Sequence, residues 1–236
     1  MTSPPPRRRS AGFAAGLTLA ALLLFAAFCA LGMWQVKRLA WKQDLIARVD
    51  TRIHAPPVAA PDRAAATDEY RRITASGHFL HDRAVLVQAV TDRGGGFWVM
   101  TPLRRNDGSI LLVNRGFVPP ESRHSYARPD GEAHVTGLLR LTEPGGGFLR
   151  ANDPAANRWY SRDVAAIATY RKLAPAITSY FIDAEAGPDA LPVGGLTVVR
   201  FPNNHLGYAI TWFALAAMVA GAYIIVMRNQ GKDSRE

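Results

Sequence analysis

The chain has 236 residues, 48% of them hydrophobic, and a formal net charge of +9. Between the two ends its arginines alternate with apolar residues rather than forming dense basic runs, which argues against a nucleic-acid-binding surface. Cys29 is the only cysteine, so neither a disulfide, a thiolate metal site nor a Cys–His nucleophile can form within one chain.

The N-terminal part predicts a membrane-spanning helix. Residues 1–10 form a tail rich in proline and arginine, and no charged residue occurs from Ser10 to Val36. Such a stretch is long enough to cross a bilayer, so we predict a transmembrane helix over 11–33. The alternative is a cleaved signal peptide. Its apolar core would exceed the usual length of about 7–15 residues, which favours an uncleaved anchor.

Helical periodicity continues beyond this apolar stretch. The residues that recur at i, i+4, i+7 and i+11 are Trp34, Arg38, Trp41 and Leu45. We expect the helix to end before His54-Ala55-Pro56-Pro57, because the residue before a proline is pushed out of the helical region.

The central region predicts a sheet. Alternating apolar residues and turn signals predict strands over Tyr70–Phe79, Ala84–Thr91, Phe97–Leu103, Ile110–Val118, Val135–Leu141 and Tyr180–Asp183. We interpret the first two as a pair joined by the turn 80–83, and the next two as a hairpin around Asn106-Asp107-Gly108.

The later part of this region adds a short helix. Trp159-Tyr160 is strand-like, and Asp163 can cap a helix from Val164 to about Lys172. The predicted fold class is therefore an α+β membrane protein, in which two transmembrane helices flank a mainly antiparallel, partly closed β domain with one short helix.

The C-terminal part contains a second apolar stretch. Leu206 to Met227 carries no charge, which predicts a transmembrane helix over 206–227 and a tail over 228–236. The basic residues at the outer ends of the two spans are Arg7, Arg8, Arg9, Arg228, Lys232 and Arg235. Because positive flanks stay cytoplasmic, we expect both termini in the cytoplasm of a bacterial inner membrane, with 34–205 as a periplasmic domain and membrane lipids as partners.

Several weaker motifs do not predict a metal-binding, phosphate-binding or catalytic site. His78 and His81 straddle a predicted turn, and residues three apart on a strand point to opposite faces, so we expect no metal site there. The triplets Gly94–Gly96 and Gly145–Gly147 lack the phosphate-loop and dinucleotide patterns and are expected to be loops. Since no nucleophile elbow or spaced carboxylate pair occurs, we expect the protein not to be an enzyme.

His205 lies where the central domain meets the second span. Pro202-Asn203-Asn204 suits a helix entrance, and His205, Tyr208 and Trp212 then share one helix face at i, i+3 and i+7. In one interpretation the histidine hydrogen-bonds at the membrane interface. In the other it is an axial ligand of a haem iron, with Tyr208 and Trp212 along the porphyrin and Arg200 paired with a propionate. A lone histidine does not decide between them.

A series of short motifs runs along nearly the whole chain. In order they are Trp34-Gln35-x-x-Arg38-x-x-Trp41-Lys42, Tyr70-Arg71-Arg72, Gly77-x-Phe79, Val113-Asn114-Arg115-Gly116-Phe117-Val118-Pro119, Val135-x-Gly137-x-Leu139-Arg140, Asn157-x-Trp159-Tyr160-x-x-Asp163 and Pro202-Asn203-Asn204-His205-Leu206-x-Tyr208-Ala209-x-Thr211-Trp212. The series resembles the surfeit-locus-one (Surf-one, Shy-type) family of cytochrome c oxidase assembly proteins. Phe117 departs from the pattern, because the family usually has Trp there.

The resemblance implies an assembly factor that helps haem a reach the catalytic subunit of a haem–copper cytochrome c oxidase. It carries the family's histidine over to His205 as a possible haem-iron ligand, with haem a as a transient cofactor. The implied partners are the catalytic subunit and the haem a synthesis enzymes. A second axial ligand could come from His54, another protomer or the partner. The alternatives are a scaffold that holds assembly intermediates without binding haem and an envelope or sensor domain unrelated to respiration.

Overall fold

Two long helices and a β-rich region make up the protein. The structure, a computed structural model, describes residues 11–147, 150–187, 190–197 and 201–233. The chain divides into two compact units, Met1–Ala47 with Arg200–Glu236, and Arg48–Val199. Helix α1 (Ala11–His54) lies mostly in the first unit, which also holds α3 (His205–Asp233), whereas the second unit holds the sheet and the short helix α2 (Val164–Tyr170).

Helices α1 and α3 are each long and apolar enough to cross a membrane, as their uncharged stretches predict. Side chains on their surfaces, such as Leu23 and Ile225, are more than 60% exposed, which suits contact with lipid. Helix α1 continues well past its apolar part, as its periodicity predicts. It ends at His54, two residues before Pro56 and one residue later than expected.

Contacts along α1 and α3 show that the two helices are antiparallel neighbours. Thr18 Oγ1 lies 2.9 Å from Tyr223 Oη near one end, and the rings of Phe28 and Trp212 stack at 5.7 Å further along. One turn after Phe28, Gly32 leaves room for the ring of Phe213, because a Cβ at Gly32 would lie only 2.7 Å from that ring. The small residue therefore allows close packing of the two helices.

The second unit contains a mixed sheet. Its strands are β1 (Val58–Ala59), β2 (Arg72–Phe79), β3 (Val85–Thr91), β4 (Gly94–Arg105), β5 (Ile110–Val118), β6 (Glu132–Leu141) and β9 (Ala176–Ala184). Among the described residues their order is β1-β2-β6-β9-β5-β4-β3, and β7 (Gly146–Gly147) pairs separately with β8 (Arg150–Ala151).

An additional pairing closes this sheet. Strand β2 also pairs with β4, from Gly77 opposite Arg105 to Phe79 opposite Leu103. The ring β2-β6-β9-β5-β4 is therefore a five-stranded barrel, which β1 and β3 extend. Gly77 is required at the closure, because a Cβ there would lie 2.1 Å from the carbonyl oxygen of Arg104.

The prediction of a mainly antiparallel sheet is not confirmed, because the sheet is mixed. The pairings β1–β2 and β5–β9 are parallel, and the other pairings between strands of this sheet are antiparallel among the described residues. The connection from β5 to β9 contains β6 and α2, so the chain is long enough to return and run in the same direction as β5.

Turn chemistry predicts one strand pair correctly and another wrongly. The β4–β5 hairpin around Gly108, whose φ is +83°, is confirmed. The interpretation of the first two strands as a pair is wrong: β2 pairs with β1, β4 and β6, whereas β3 pairs along β4. The expectation of glycine loops is also wrong for Gly94–Gly96, which begin β4, and for Gly146–Gly147, which form β7.

Each face of the sheet carries its own apolar core. One cluster includes Ile73, Leu103, Leu111, Val113, Leu139, Tyr180 and Ile182. The other includes Val85, Met100, Ile110, Leu112, Trp159, Ile167 and Phe181, and α2 covers it. Because alternate residues of β5 point into different clusters, the run from Ile110 to Asn114 is buried on both faces.

A short helix closes the second cluster as predicted. Asp163 caps α2, because its Oδ1 accepts a hydrogen bond of 3.0 Å from the N–H of Ala166. The residues of α2 that face the cluster, Val164, Ile167 and Ala168, are buried. The helix ends at Tyr170 rather than near Lys172, which adopts a φ of +54°.

Asp183 forms the centre of a buried polar network in this unit. Only 4% of the residue is exposed, and it accepts hydrogen bonds from Asn114, Arg140, Arg162 and Thr197. Arg162 also binds Glu143 through two hydrogen bonds of 2.5 and 3.0 Å. Burial alone would raise the pKa of Glu143, but the hydrogen bonds and charge of Arg162 outweigh it and hold the pKa below its ordinary value.

Candidate functional site

His205 is the first residue of α3 and is half-buried. Pro202 and two asparagines precede it, which agrees with the expected helix entrance. Asn203 does not supply the side-chain cap, since its Oδ1 is buried without a hydrogen-bond partner. The carbonyl of Asn204 accepts from the N–H of Tyr208 at 3.3 Å, so the first turn begins directly at the histidine.

The imidazole of His205 is held by Gln35 on α1. His205 Nδ1 lies 2.8 Å from Gln35 Oε1, and Gln35 is only 8% exposed. An amide oxygen can only accept, so Nδ1 donates and the proton of a neutral imidazole is on that nitrogen. The lone pair is then on Nε2, for which no described residue supplies a hydrogen-bond partner.

This arrangement is the one that an axial histidine ligand needs. A metal-bound imidazole typically donates its second ring N–H to a fixed acceptor, which sets the tautomer and orients the ring. Gln35 provides such an acceptor from a buried position, and Nε2 would be the nitrogen that binds iron. The residues present at His205 therefore fit ligation of a haem.

The other predicted site residues lie at different places around this contact. Tyr208 is 56% exposed, so its ring is accessible from the outside of the helix pair. Trp212 stacks on Phe28 of α1, with 24° between the ring planes, and thus contributes to helix packing. Arg200 lies outside the described residues.

Two cations occupy the face of α1 that carries Gln35. Arg38 and Lys42 follow it at i+3 and i+7. The guanidinium carbon of Arg38 lies 4.1 Å from the ring centroid of Trp41, and Lys42 Nζ lies 5.1 Å from that of Phe201. Both aromatic contacts leave the positive charges available to an anionic group.

Sequence reasoning did not assign a role to Gln35. The residue belongs to the motif that begins at Trp34, but a single amide near the end of an apolar stretch does not indicate its partner. A buried polar group in such a helix needs a hydrogen-bond partner, and this requirement was the signal that could have drawn attention to it.

The other histidines that the sequence singles out lie apart from this site in the chain. His78 is on β2, opposite Glu132 and Arg104, and His81 is in the following turn. His81 Nε2 donates to the carbonyl of Pro129 at 3.0 Å. His54 Nδ1 lies 2.9 Å from the carbonyl of Asp50. In the described ranges, no three His, Cys, Asp or Glu side chains group so as to hold a metal ion.

Known proteins resemble this chain over most of its length. The family model described as SURF1 family matches residues 22–217. A SURF1-like protein of Monosiga brevicollis is 34% identical over 225 residues, covering 86% of this chain and 85% of the relative. Surfeit locus protein 1 of Mus musculus is 36% identical over 83% of this chain and 71% of its own, and the Homo sapiens protein is 36% identical over 79% and 69%.

Proposed function

The chain belongs to the SURF1 family, and on this basis we propose that it is an assembly factor for a haem–copper cytochrome c oxidase. In this proposal it assists the delivery of haem a to the catalytic subunit. The observation that carries the proposal is the hydrogen bond between His205 Nδ1 and Gln35 Oε1 at 2.8 Å. It supports the proposal because it fixes the imidazole with Nε2 as the nitrogen that would coordinate iron.

Bound haem would supply an iron that accepts an imidazole nitrogen as an axial ligand. His205 would donate the lone pair of Nε2, and Gln35 would hold the ring in the required tautomer. Arg38, Lys42 and Arg200 are the cations that would pair with propionates, and the exposed Tyr208 ring would pack along the porphyrin. A single histidine held at a helix start suits transient binding, which a carrier needs in order to release its cargo.

The same proposal assigns a place and partners to the protein. The two apolar helices would anchor it among membrane lipids of a bacterial inner membrane, with both termini cytoplasmic. Haem a synthesis enzymes would supply the cofactor, and the oxidase catalytic subunit would receive it. The protein would act by binding and transfer rather than as an enzyme.

A visible absorption spectrum tests the haem proposal. The full chain is purified in detergent after coexpression with haem a synthesis enzymes, beside His205→Ala. We expect a haem a band in the parent and its loss in the variant, because alanine offers no ligand to the iron. Circular dichroism shows that the variant is folded, and His134→Ala, which removes an exposed histidine on β6, is the matched control that should keep the band.

A scaffold without haem is the second candidate. The observation that favours it is that His205 and Trp212 both contact α1, through Gln35 and Phe28, so both can be explained by helix packing alone. This alternative predicts no haem band in either protein, together with copurification of oxidase subunits. A band of equal strength in the parent and in His205→Ala would contradict ligation by His205.

A further inference from the structure

Arg115 on β5 is a half-buried cation without a counter-ion. Its Nη1 is buried and has no hydrogen-bond partner, and no described carboxylate forms an ion pair with it. Its guanidinium carbon lies 5.0 Å from the ring centroid of Phe79, so an aromatic face covers one side. Burial lowers the pKa of Arg115 because it desolvates the guanidinium, and the nearby Tyr126 offsets only part of this effect.

The backbone brings a second arginine to the same place. Phe117, two residues after Arg115, exchanges two hydrogen bonds of 2.9 Å with Val193. The N–H of Ala127 donates to the carbonyl of Leu191 at 2.9 Å. The segment 191–193 is therefore attached both to the end of β5 and to residues 126–128, which include Arg128.

Side-chain contacts also link the segment that contains Arg128 to Phe79. The guanidinium carbon of Arg128 lies 4.9 Å from the Tyr126 ring, and its charge lowers the pKa of Arg115 further. The neighbouring Pro129 carbonyl accepts from His81, whose ring lies 5.5 Å from that of Phe79. Phe79, His81, Arg115, Tyr126 and Arg128 together form what we call the arginine–aromatic cluster.

We infer that the arginine–aromatic cluster binds the phosphate group of a ligand through Arg115, Arg128 and the Tyr126 hydroxyl. Two arginines that converge with no carboxylate among the described residues to pair with them repel each other, and an anion between them offsets both that repulsion and the burial of Arg115. Arg128 is exposed and Arg115 is half-buried, so a ligand can reach them from solvent.

The charge and the donors favour phosphate over a carboxylate. A phosphate monoester carries about −1.5 to −2 charges near neutral pH, which matches two guanidinium groups, whereas a carboxylate carries one. Its three terminal oxygens can accept from two arginine forks and a phenol at once. The phosphate can belong to an anionic phospholipid headgroup or to a soluble molecule, and the chemistry of recognition is the same.

Thermal unfolding of the full chain in detergent tests the site, with inorganic phosphate as the probe. In a phosphate-free buffer, millimolar phosphate should raise the unfolding midpoint more than sodium chloride or acetate of equal ionic strength. At such low concentrations the general stabilising effect of phosphate as an excluded salt is small, so the difference reports binding. Arg128→Gln should weaken phosphate binding about tenfold or more. Arg115→Gln should have the same effect if it folds, and the exposed Arg128 provides the test if it does not.

Arg63→Gln is the matched control, because Arg63 is an exposed arginine between β1 and β2. It removes the same charge and should leave the response to phosphate unchanged. An equal response to phosphate, acetate and chloride in the parent would overturn the proposal, as would a phosphate response that survives in Arg128→Gln.

A second titration identifies the source of the phosphate. Short-chain phosphatidic acid, below its micellar concentration, is compared with inorganic phosphate in the parent and in Arg128→Gln. Tighter, Arg128-dependent binding of the lipid supports a headgroup, and equal or weaker Arg128-dependent binding supports a soluble phosphate compound. Lipid binding that does not depend on Arg128 would contradict a headgroup at this cluster.

Discussion

At the residue scale, the candidate haem site depends on a pair of side chains that are 170 positions apart in the chain, Gln35 and His205. The imidazole could be recognised from the sequence because it lies at the start of an apolar stretch. Its acceptor could not, because an amide in a helix gives no local indication of the residue that it contacts. One hydrogen bond thus connects the motif from Trp34 to Lys42 with the motif around His205.

Gln35→Leu should weaken haem binding about 10- to 100-fold, since loss of an outer hydrogen bond to a metal-bound histidine has an effect of that size. The physical reason is that His205 Nδ1 would lose its acceptor and the ring its fixed orientation. A haem titration of the detergent-purified protein, followed by absorbance, measures the change.

Gln35→Glu is the matched control for this prediction. It keeps an oxygen acceptor of nearly the same shape, so binding should remain within a few-fold of the parent. If Gln35→Leu bound haem as tightly as the parent does, Gln35 would contribute only to helix packing, and the positioning role would be wrong.

At the scale of elements, local signals determine the helices better than the strand partners. Helix α2 begins where Asp163 predicts a cap, and its apolar residues face the second core cluster. Strand β3 also lies where alternation predicts it, but it pairs along β4 instead of β2. A turn signal indicates that the chain reverses direction. It does not indicate which strand will pair with the next one, because that depends on which strand edge is free in the finished sheet.

Asp163→Ala should destabilise the folded state by about 1 kcal/mol, because the N–H of Ala166 would lose its acceptor at the start of α2. Urea unfolding followed by tryptophan fluorescence measures the change, since Trp159 is buried beneath this helix. Asp163→Asn keeps an oxygen acceptor at the cap and should destabilise the folded state less than Asp163→Ala does. Equal stability of parent and Asp163→Ala would show that packing alone positions the helix.

At the scale of the whole molecule, charge pairs on the β-rich unit make its stability depend on pH. The pKa of Glu143 is below its ordinary value because Arg162 outweighs the effect of burial. The pKa of Glu185 is also lowered, through its hydrogen bonds from Arg72. A lowered folded-state pKa contributes stability that is present above the unfolded pKa and is lost as pH falls through the folded pKa.

We therefore expect the thermal unfolding midpoint to fall as the pH decreases from about 5 to about 3. Glu143→Gln should reduce this dependence, because glutamine does not titrate and accepts from Arg162 through one oxygen only. Thermal unfolding followed by circular dichroism at several pH values measures the midpoints of the parent and of Glu143→Gln. A parent midpoint that stays constant over this range would contradict the prediction.

Features that depend on neighbouring residues could be predicted from the amino-acid sequence. Uncharged stretches located α1 and α3, Asn106-Asp107-Gly108 located the β4–β5 hairpin, and Asp163 located the start of α2. These signals are local, since hydrophobic periodicity, turn conformation and capping act over a few residues. The position of His205 at the start of an apolar stretch identified it as a residue of interest, and the family resemblance added its implied role as a haem ligand.

Features that join distant parts of the chain became visible only in the folded protein. These are the closure of β2 on β4, the parallel pairing of β5 with β9, the contact between Gln35 and His205, and the arginine–aromatic cluster. Each of these features depends on packing between residues far apart in the chain. The partner of a strand edge, a buried amide or a cation is therefore set by the completed fold and not by its neighbours in the sequence.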